Sequence, residues 1–223
     1  MAEQQIVAMG GGGTSDAVVA EVFALAGRER PQVLYVGTAS AEDPRNTLIM
    51  YDRARGQADV TPLQFFPWPP ADLRRLTLAQ DVIFVGGGNT ANMLAIWRVH
   101  GFDRILREAW EQGVVLCGSS AGMICWFEAS VTDSFGPQLA TMNDGLGFLP
   151  GSACPHYDDE ELRRPLYRQA VNEGFPPGYA ADSGVGLHFV GTELVEVISP
   201  RDGATGYRVE PGVERPLQAR FVS

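Results

Sequence analysis

Lysine is absent from this chain of 223 residues, and all 17 of its basic residues are arginine. Without an amine side chain the protein has no Walker A lysine, no Schiff-base or pyridoxal lysine and no Ser-Lys dyad. The 27 acidic residues outnumber the basic ones, for a net charge of −10. Since nucleic-acid binding needs a cationic surface to neutralise phosphates, we expect no nucleic-acid partner.

Long apolar runs and a basic leader are also missing. No run reaches the roughly 18 apolar residues of a membrane span, and the opening MAEQQIVAMGG is unlike a signal peptide. The cysteines are Cys117, Cys125 and Cys154, an odd number without CxxC spacing, and there is no HxxxH motif. We therefore expect reduced core thiols in a cytoplasmic protein, with no membrane partner and no metal.

One pattern recurs before residue 125: a short β-branched apolar run ends in a cluster of Gly, Ser or Thr. The runs span 6–9, 33–36, 82–85 and 114–117. Continuous apolar runs without alternation are typical of parallel strands covered on both faces, which indicates an α/β fold. Intervening helices are predicted over 16–27, 44–56 and 91–113, the last of them broken near Gly101.

Beyond residue 150 the sequence pattern changes and predicts short strands separated by turns. They are predicted at 179–181, 186–190, 194–198, 206–209 and 217–222. We expect them to extend the same sheet in antiparallel fashion. Because no long linker interrupts the sequence, residues 1–223 are expected to form a single domain.

The glycine run Gly10 to Gly13 does not fit the dinucleotide fingerprint. In either frame of G-x-G-x-x-G the third glycine is replaced, by Ser15 or by Asp16. No acidic residue ends a second strand about 20 residues later, as ribose binding would need. We therefore expect no nucleotide cofactor, but we do expect a ligand site at the carboxyl ends of the strands.

The segment Gly118 to Gly122 matches G-x-S-x-G, the nucleophile elbow, with Ser120 at its centre. An apolar strand precedes it and a helix is predicted over 121–127, as that motif requires. The turn projects the serine hydroxyl above the sheet and directs the N–H of Ala121 at an oxyanion. Ser119 lacks the flanking glycines, so Ser120 is the candidate nucleophile.

A serine nucleophile needs a base and an acid that orients the base. Of the three histidines, His100 falls in a helix break and His188 within a strand, where a structural role is favoured. His156 follows a possible strand and is the candidate base. Asp182, at a strand end, and Asp133 are both candidates for the acid, although either one could be an ordinary turn aspartate.

An acidic run at 158–161 follows the candidate base. Its pattern is typical of the first turn of a helix, although one carboxylate could instead hold a substrate ammonium. Arg163, Arg164 and Arg168 follow, either as a solvated helix face or as a clamp for an anionic group.

These motifs together resemble the peptidase E family of aspartyl dipeptidases, which are related to cyanophycinases. The resemblance rests on GGGNT at 86–90, GSSAG at 118–122 and Pro155-His156, and it covers about residues 5–200. It implies a class I glutamine amidotransferase-like, flavodoxin-like α/β fold with a serine nucleophile. It also implies cleavage of peptides with an amino-terminal aspartate, and a homodimer.

The resemblance assigns roles to individual residues. Ser120 is then the nucleophile, His156 the base and Asp182 the acid, with Asp133 as an alternative. The oxyanion hole and substrate-binding residues implied are Gly88, Asn89 and Ala121. The short acidic stretch after His156 departs from the family, whose members carry Gly and Arg there to recognise aspartate.

We therefore expect a serine exopeptidase that acts on short peptides through an acyl-enzyme, with Asp-X dipeptides as candidate substrates. Two alternatives stay open. One is an α/β-hydrolase esterase that uses Ser120, Asp133 and His156 in that chain order. The other is a small-molecule binding module without catalysis.

Overall fold

The computed structural model describes residues 3–12 and 15–223. The strands are, in chain order, β1 (Gln5–Met9), β2 (Gln32–Val36), β3 (Asp59–Leu63), β4 (Val82–Val85), β5 (Val115–Ser119), β6 (Phe127–Thr132), β7 (Ala140–Met142), β8 (Leu149–Cys154), β9 (Gly178–Ala181), β10 (Gly186–Val190), β11 (Glu193–Ser199), β12 (Gly206–Glu210), β13 (Val213–Pro216) and β14 (Ala219–Phe221). The α-helices are α1 (Asp16–Leu25), α2 (Pro44–Arg53), α3 (Leu73–Leu78), α4 (Thr90–His100), α5 (Phe102–Glu111), α6 (Ala121–Ile124) and α7 (Arg163–Asn172). Within these described residues no helix is long and apolar enough to cross a membrane.

Eight strands form the larger sheet in the order β14-β11-β10-β1-β5-β4-β2-β3. The five strands from β1 to β3 in this order are parallel. Helices α1 and α2 cover one face of them, and α4, α5 and α6 cover the other, so alternate strand residues enter two separate cores. The predicted parallel sheet between two helical layers is confirmed.

The helices of this layer follow local sequence signals. Ser15 caps α1 and Asp43 caps α2 through their side-chain oxygens. The helix predicted over 91–113 breaks at Gly101, which adopts a φ of 68° and so separates α4 from α5.

The expectation of one extended sheet is only partly right. Strands β10 and β11 do extend the larger sheet beside β1, in antiparallel fashion. Strand β14 joins the edge of the same sheet but runs parallel to β11. The late strands β9, β12 and β13 belong to a second sheet, in the order β13-β12-β9-β8-β6-β7. Its strand β6 begins at Phe127, so the helix expected over 121–127 ends early, at Ile124. Which sheet a strand joins depends on long-range pairing, which the local apolar pattern does not encode.

The second sheet brings two loops to the carboxyl edge of the first. Strands β8 and β9 are parallel, so the segments that follow them lie side by side. Two backbone hydrogen bonds join the segment after β9 to the end of β1, from Gly10 N to Val185 O at 2.8 Å and from Gly184 N to Gly11 O at 2.7 Å. Residues after β8 and β9 therefore meet the ends of β1 and β5.

Candidate active site

Ser120 forms the sharp turn between β5 and α6. Its φ of 57° and ψ of −107° are a conformation that L residues rarely adopt. A Cβ at Gly118 would lie 2.5 Å from the carbonyl oxygen of Gly122, and one at Gly122 would lie 2.2 Å from that of Val85. Both flanking positions therefore require glycine, as the elbow motif predicts.

His156 lies beside this turn, two residues beyond the end of β8. Its φ is 54°, and its backbone N–H donates to the carbonyl oxygen of Gly10 at 2.7 Å. Its ring Nε2 lies 3.0 Å from Ser120 Oγ, and its side chain is 16% exposed. The structure thus brings the candidate nucleophile and base within hydrogen-bonding distance, as proton transfer requires.

The glycine run after β1 makes room for this arrangement. At each of three positions a Cβ would collide with the residues around the base. The collisions are with Asp182 O at 2.2 Å from Gly10, His156 Cε1 at 2.3 Å from Gly11 and Ser183 Oγ at 2.2 Å from Gly12. The run therefore serves close backbone approach. Gly13, the last residue of the run, lies outside the described residues.

Asp182 does not reach His156. It is 2% exposed at the end of β9, and its Oδ2 accepts hydrogen bonds from Thr205 N at 2.9 Å and the Tyr207 hydroxyl at 3.4 Å. Its Oδ1 is buried without a hydrogen-bond partner among the described residues. Burial raises the pKa of this carboxyl group. The expectation that Asp182 contacts the imidazole is therefore wrong, because its carboxylate is directed into the second sheet.

The groups that face the other ring nitrogen of His156 are different ones. Nδ1 lies 3.5 Å from Ser183 Oγ, 3.5 Å from Asp159 Oδ1 and 3.8 Å from Glu160 Oε1. The Ser183 hydroxyl donates to Asp159 Oδ2 at 2.6 Å, which fixes that carboxylate next to the ring.

Sequence reasoning missed Ser183 and Asp159 in this role. The available signal was their spacing, since Ser183 directly follows Asp182 and Asp159 comes three residues after His156. The acidic run was expected to be the first turn of a helix, yet α7 begins only at Arg163. The run is instead a separate turn that packs against Ser183.

Gly88 lines the same cavity as Ser120, and Ala121 directly follows the nucleophile in the chain. In the described part of the chain, neither the N–H of Gly88 nor that of Ala121 donates to a protein acceptor. Gly88 has a φ of 134°, and a Cβ there would lie 2.2 Å from the carbonyl oxygen of Ala39. This position also requires glycine.

Asn89, expected to bind substrate, is used within the protein. Its Oδ1 accepts from Asn92 N at 2.9 Å, which caps α4. Its Nδ2 donates to the carbonyl oxygen of Ser134 at 2.8 Å, which holds the loop after β6. Both ends of the amide therefore position the walls of the site.

A cavity of about 200 Å³ opens beside Ser120. Its lining consists of Gly88, Asn89, Ser120, Asp133, His156, Glu160 and Arg163. The side chain of Arg163 is 3% exposed, and its Nε donates to Glu160 Oε2 at 2.5 Å. Asp133 is 61% exposed, with Arg163 NH2 4.0 Å away and no contact to His156. Two carboxylates against one paired arginine give this cavity a net negative charge.

The arginine clamp anticipated on α7 exists, but a carboxylate of the same chain fills it. Arg164 pairs with Glu214 of β13, and Arg168 Nε lies 3.8 Å from the same carboxylate. The Tyr157 hydroxyl also donates to Glu214, at 2.6 Å. These arginines therefore bind α7 to the second sheet.

The remaining histidines and the cysteines lie apart from this site, as expected. His188 is 8% exposed beside Gln5 Oε1 at 3.0 Å, and burial lowers its pKa. His100 ends α4 on the surface, 5.4 Å from the ring of Phe65. The three cysteines are buried free thiols, and burial raises the pKa of Cys154 to about 12.

Comparison with known proteins finds a peptidase family and a peptidase relative that both match almost the whole chain. The profile of Peptidase family S51 matches residues 6–197. The chain is 47% identical over 231 residues to Uncharacterized peptidase YgaJ of Bacillus subtilis (strain 168), over 98% of this chain and 99% of that protein.

Two solved structures share the fold. A peptidase from an acI-B1 Actinobacterium superposes with a TM-score of 0.72 at 16% identity, over 99% of this chain and 96% of that one. A provisionally assigned peptidase E protein from Listeria monocytogenes EGD-e gives a TM-score of 0.66 at 18% identity, over 87% of this chain and 98% of that one.

The close contact between Gly11 and the imidazole generates a prediction. We expect Gly11→Ala to slow fluorophosphonate labelling of Ser120 by about tenfold or more, because the new methyl displaces the base that activates the hydroxyl. The rate of labelling is followed by intact-protein mass spectrometry.

Gly56→Ala is the matched control, since Gly56 has a φ of 76° but no atom within 4 Å of the point that a Cβ would occupy. Both variants carry the strain of a left-handed residue, about 1–2 kcal/mol, so both lower thermal stability. Equal labelling rates in the two variants would contradict the positioning role of Gly11.

Proposed function

Because the chain belongs to peptidase family S51, we propose that it is a serine exopeptidase that cleaves short peptides through an acyl-enzyme on Ser120. The observation that carries this proposal is the 3.0 Å contact between Ser120 Oγ and His156 Nε2 at a strained elbow. A serine with an adjacent imidazole and a sharp strand-to-helix turn is the arrangement that activates a hydroxyl for acyl transfer.

The chemistry follows from this geometry. Ser120 Oγ attacks the peptide carbonyl carbon while its proton passes to His156 Nε2. The carbonyl oxygen becomes an oxyanion, which the N–H groups of Gly88 and Ala121 stabilise. The imidazolium then donates its proton to the departing amine nitrogen, which leaves an ester on Ser120. Water, deprotonated by the same imidazole, hydrolyses that ester and restores the serine.

Asp159, rather than Asp182, is proposed to orient His156. Its Oδ1 lies 3.5 Å from Nδ1, and its Oδ2 is fixed by the Ser183 hydroxyl at 2.6 Å. With Nδ1 protonated, Nε2 is left free to accept the serine proton, and the nearby negative charge stabilises the imidazolium. Because Asp159 is 45% exposed, solvent weakens this effect relative to a buried acid.

The acidic cavity supports recognition of a free amino terminus. Glu160 and Asp133 face the space beside Ser120, where an ammonium one residue from the scissile carbonyl would lie. Such a site selects peptides by their amino end, which makes the enzyme an exopeptidase. The α7 arginines expected to hold an aspartate side chain are paired within the protein, so an Asp-X preference needs another cation.

The two alternative functions have less support. The esterase alternative needs Asp133 as the acid, and that side chain is exposed without contact to His156. A binding module without catalysis would have no use for a strained serine next to a base. A cytoplasmic homodimer remains part of the proposal, and light scattering after size-exclusion chromatography tests its stoichiometry.

The nucleophile can be identified by substitution. Ser120→Ala is expected to lower kcat for Ala-Leu by roughly 10³-fold or more, as the loss of an activated nucleophile does. Ser119→Ala is the neighbouring control and is expected to keep labelling by a fluorophosphonate at residue 120. Peptide mapping that places the adduct on Ser119 would contradict the assignment of Ser120 as the nucleophile.

The orienting acid is tested with a pair of asparagine variants. Asp159→Asn is expected to lower kcat by at least about tenfold, and by less than the roughly 10⁴-fold that follows substitution of a buried triad aspartate. The loss should appear in kcat rather than in KM, because Asp159 orients the base and does not line the cavity beside Ser120.

Asp182→Asn provides the comparison and is expected to lower kcat by less than Asp159→Asn does, because Asp182 makes no contact with His156. The opposite ranking, with both variants folded by circular dichroism, would return the role to Asp182.

Recognition of the amino terminus is tested with substrates and a matched variant. Ala-Leu is expected to be cleaved at least about tenfold more efficiently than N-acetyl-Ala-Leu, and Glu160→Gln should raise KM for Ala-Leu more than it lowers kcat. Glu161→Gln, on the exposed neighbouring residue, should change neither parameter. Undiminished cleavage of the acetylated peptide would exclude amine recognition.

A further inference from the structure

A second cavity, of about 340 Å³, borders the turn of the nucleophile through Gly87 and Ser119. It is bounded by the ends of β2 and β4 and by α2, with Tyr35, Asn46, Arg53 and Gly87 in its lining. The mechanism proposed above does not use it.

This cavity begins within reach of the reacting atoms. A Cβ at Gly87 would lie 3.3 Å from Ser120 Cβ and 3.9 Å from Ser120 Oγ. Gly87 therefore lines the cavity and also lies next to the serine, and it contributes no side chain between the two. Since one residue spans roughly 3.3–3.6 Å, a group one residue away from the acylated carbon can enter the cavity.

Arg53 gives this cavity its positive charge. The guanidinium is 25% exposed, and its Nε lies 3.2 Å from Oδ1 of Asp16, a side chain that is itself 75% exposed. A guanidinium carries five N–H donors, so a single contact at Nε leaves the terminal nitrogens to bind another group. A carboxylate is the anion whose geometry matches that pair of donors.

Tyr35 and Asn46 complete a polar lining around this charge. The Tyr35 side chain is 5% exposed at the end of β2, and its hydroxyl lies 2.8 Å from where a Cβ of Gly86 would be. Burial raises the pKa of this phenol, and Tyr35 lines the same cavity as Arg53. A neutral hydroxyl can donate a hydrogen bond to a carboxylate bound by Arg53.

We propose that this cavity binds a carboxylate of the substrate and that Arg53 is the residue that recognises it. The inference rests on the proposed peptidase function and adds its specificity. The cavity of Glu160 and Asp133 beside Ser120 suits an ammonium, and the cavity lined by Gly87 and Arg53 suits a carboxylate. A short zwitterionic peptide that lies across the serine matches both charges, whereas a long peptide would leave the Arg53 cavity without a terminal carboxylate.

Two carboxylates of such a substrate are within reach of this cavity. One is the carboxyl terminus of a dipeptide, and the other is the side chain of an aspartate at the residue whose carbonyl is attacked. Three substrates separate the two sources: Ala-Leu, Ala-Leu amide and Asp-Leu amide. The first carries only the terminal carboxylate, the second carries none, and the third carries only the side-chain carboxylate.

The experiment measures kcat/KM for the three peptides with the wild-type enzyme, Arg53→Gln and Arg53→Lys. Loss of a hydrogen bond to a charged group costs about tenfold to a hundredfold, so the wild type should prefer one carboxylate peptide over Ala-Leu amide by that factor. Arg53→Gln should reduce this ratio to about twofold or less, and Arg53→Lys should keep part of it. Preference for Ala-Leu assigns the terminal carboxylate, and preference for Asp-Leu amide assigns the side chain.

Arg55→Gln is the matched control, because Arg55 lies two residues further on, is 81% exposed and pairs with Asp52 outside the cavity. It should leave all three rates unchanged. Labelling of Ser120 by a fluorophosphonate, at the wild-type rate in every variant, shows that the fold and the nucleophile are intact.

Wild-type ratios retained in Arg53→Gln would overturn the assignment of Arg53 and leave the peptidase proposal standing. A wild type that cleaves none of the three peptides would contradict the proposed function and this inference with it.

Discussion

The site depends on how closely bare backbone at the end of β1 approaches the segments that follow β8 and β9. The carbonyl oxygen of Gly10 accepts from His156 N at 2.7 Å, and that of Gly11 accepts from Gly184 N, also at 2.7 Å. Ser120 belongs to the larger sheet and His156 to the second one, so their 3.0 Å contact exists only while these edges stay together. A side chain at Gly11 would occupy the space that the base needs, and one at Gly10 would collide with the carbonyl oxygen of Asp182.

The charges around Ser120 and His156, where the two sheets meet, follow from how the chain pairs its arginines. With a net charge of −10, the chain uses its arginines mainly in pairs with its own carboxylates, as Arg163 and Arg164 do. Asp159, which pairs with no arginine among the described residues, lies beside the imidazole instead. Glu160 and Asp133 line the cavity beside His156, whereas Arg53 lines the second cavity, and the proposed orientation of a bound peptide rests on this difference in charge.

Sequence reasoning reached the features that local chemistry decides. The elbow at Ser120 and the helix break at Gly101 need glycines at set positions, so the sequence shows them directly. It failed where position depends on partners distant in the chain. Asp182 stands at a strand end, as the pattern indicates, but pairing of β9 with β12 turns its carboxylate to Thr205.

The paired arginines of α7 show the same limit. Their spacing allowed either a solvated helix face or a clamp for an anionic group, and no local signal names Glu214, some fifty residues away, as the carboxylate that they bind. The proposed role of Arg53 likewise has no signal in the local sequence, because α2 meets the end of β4 only in the folded sheet.

The central claim, that Ser120 and His156 form a nucleophile and base in a cleft built for short peptides, is tested most directly by a crystal structure. The protein would be soaked with a phosphonate analogue of Ala-Leu that carries a free amine and a free carboxylate. The account predicts a covalent bond from Ser120 Oγ to phosphorus, with a phosphoryl oxygen bonded to the N–H groups of Gly88 and Ala121. An adduct on another residue, or a phosphoryl oxygen directed away from both N–H groups, would contradict it.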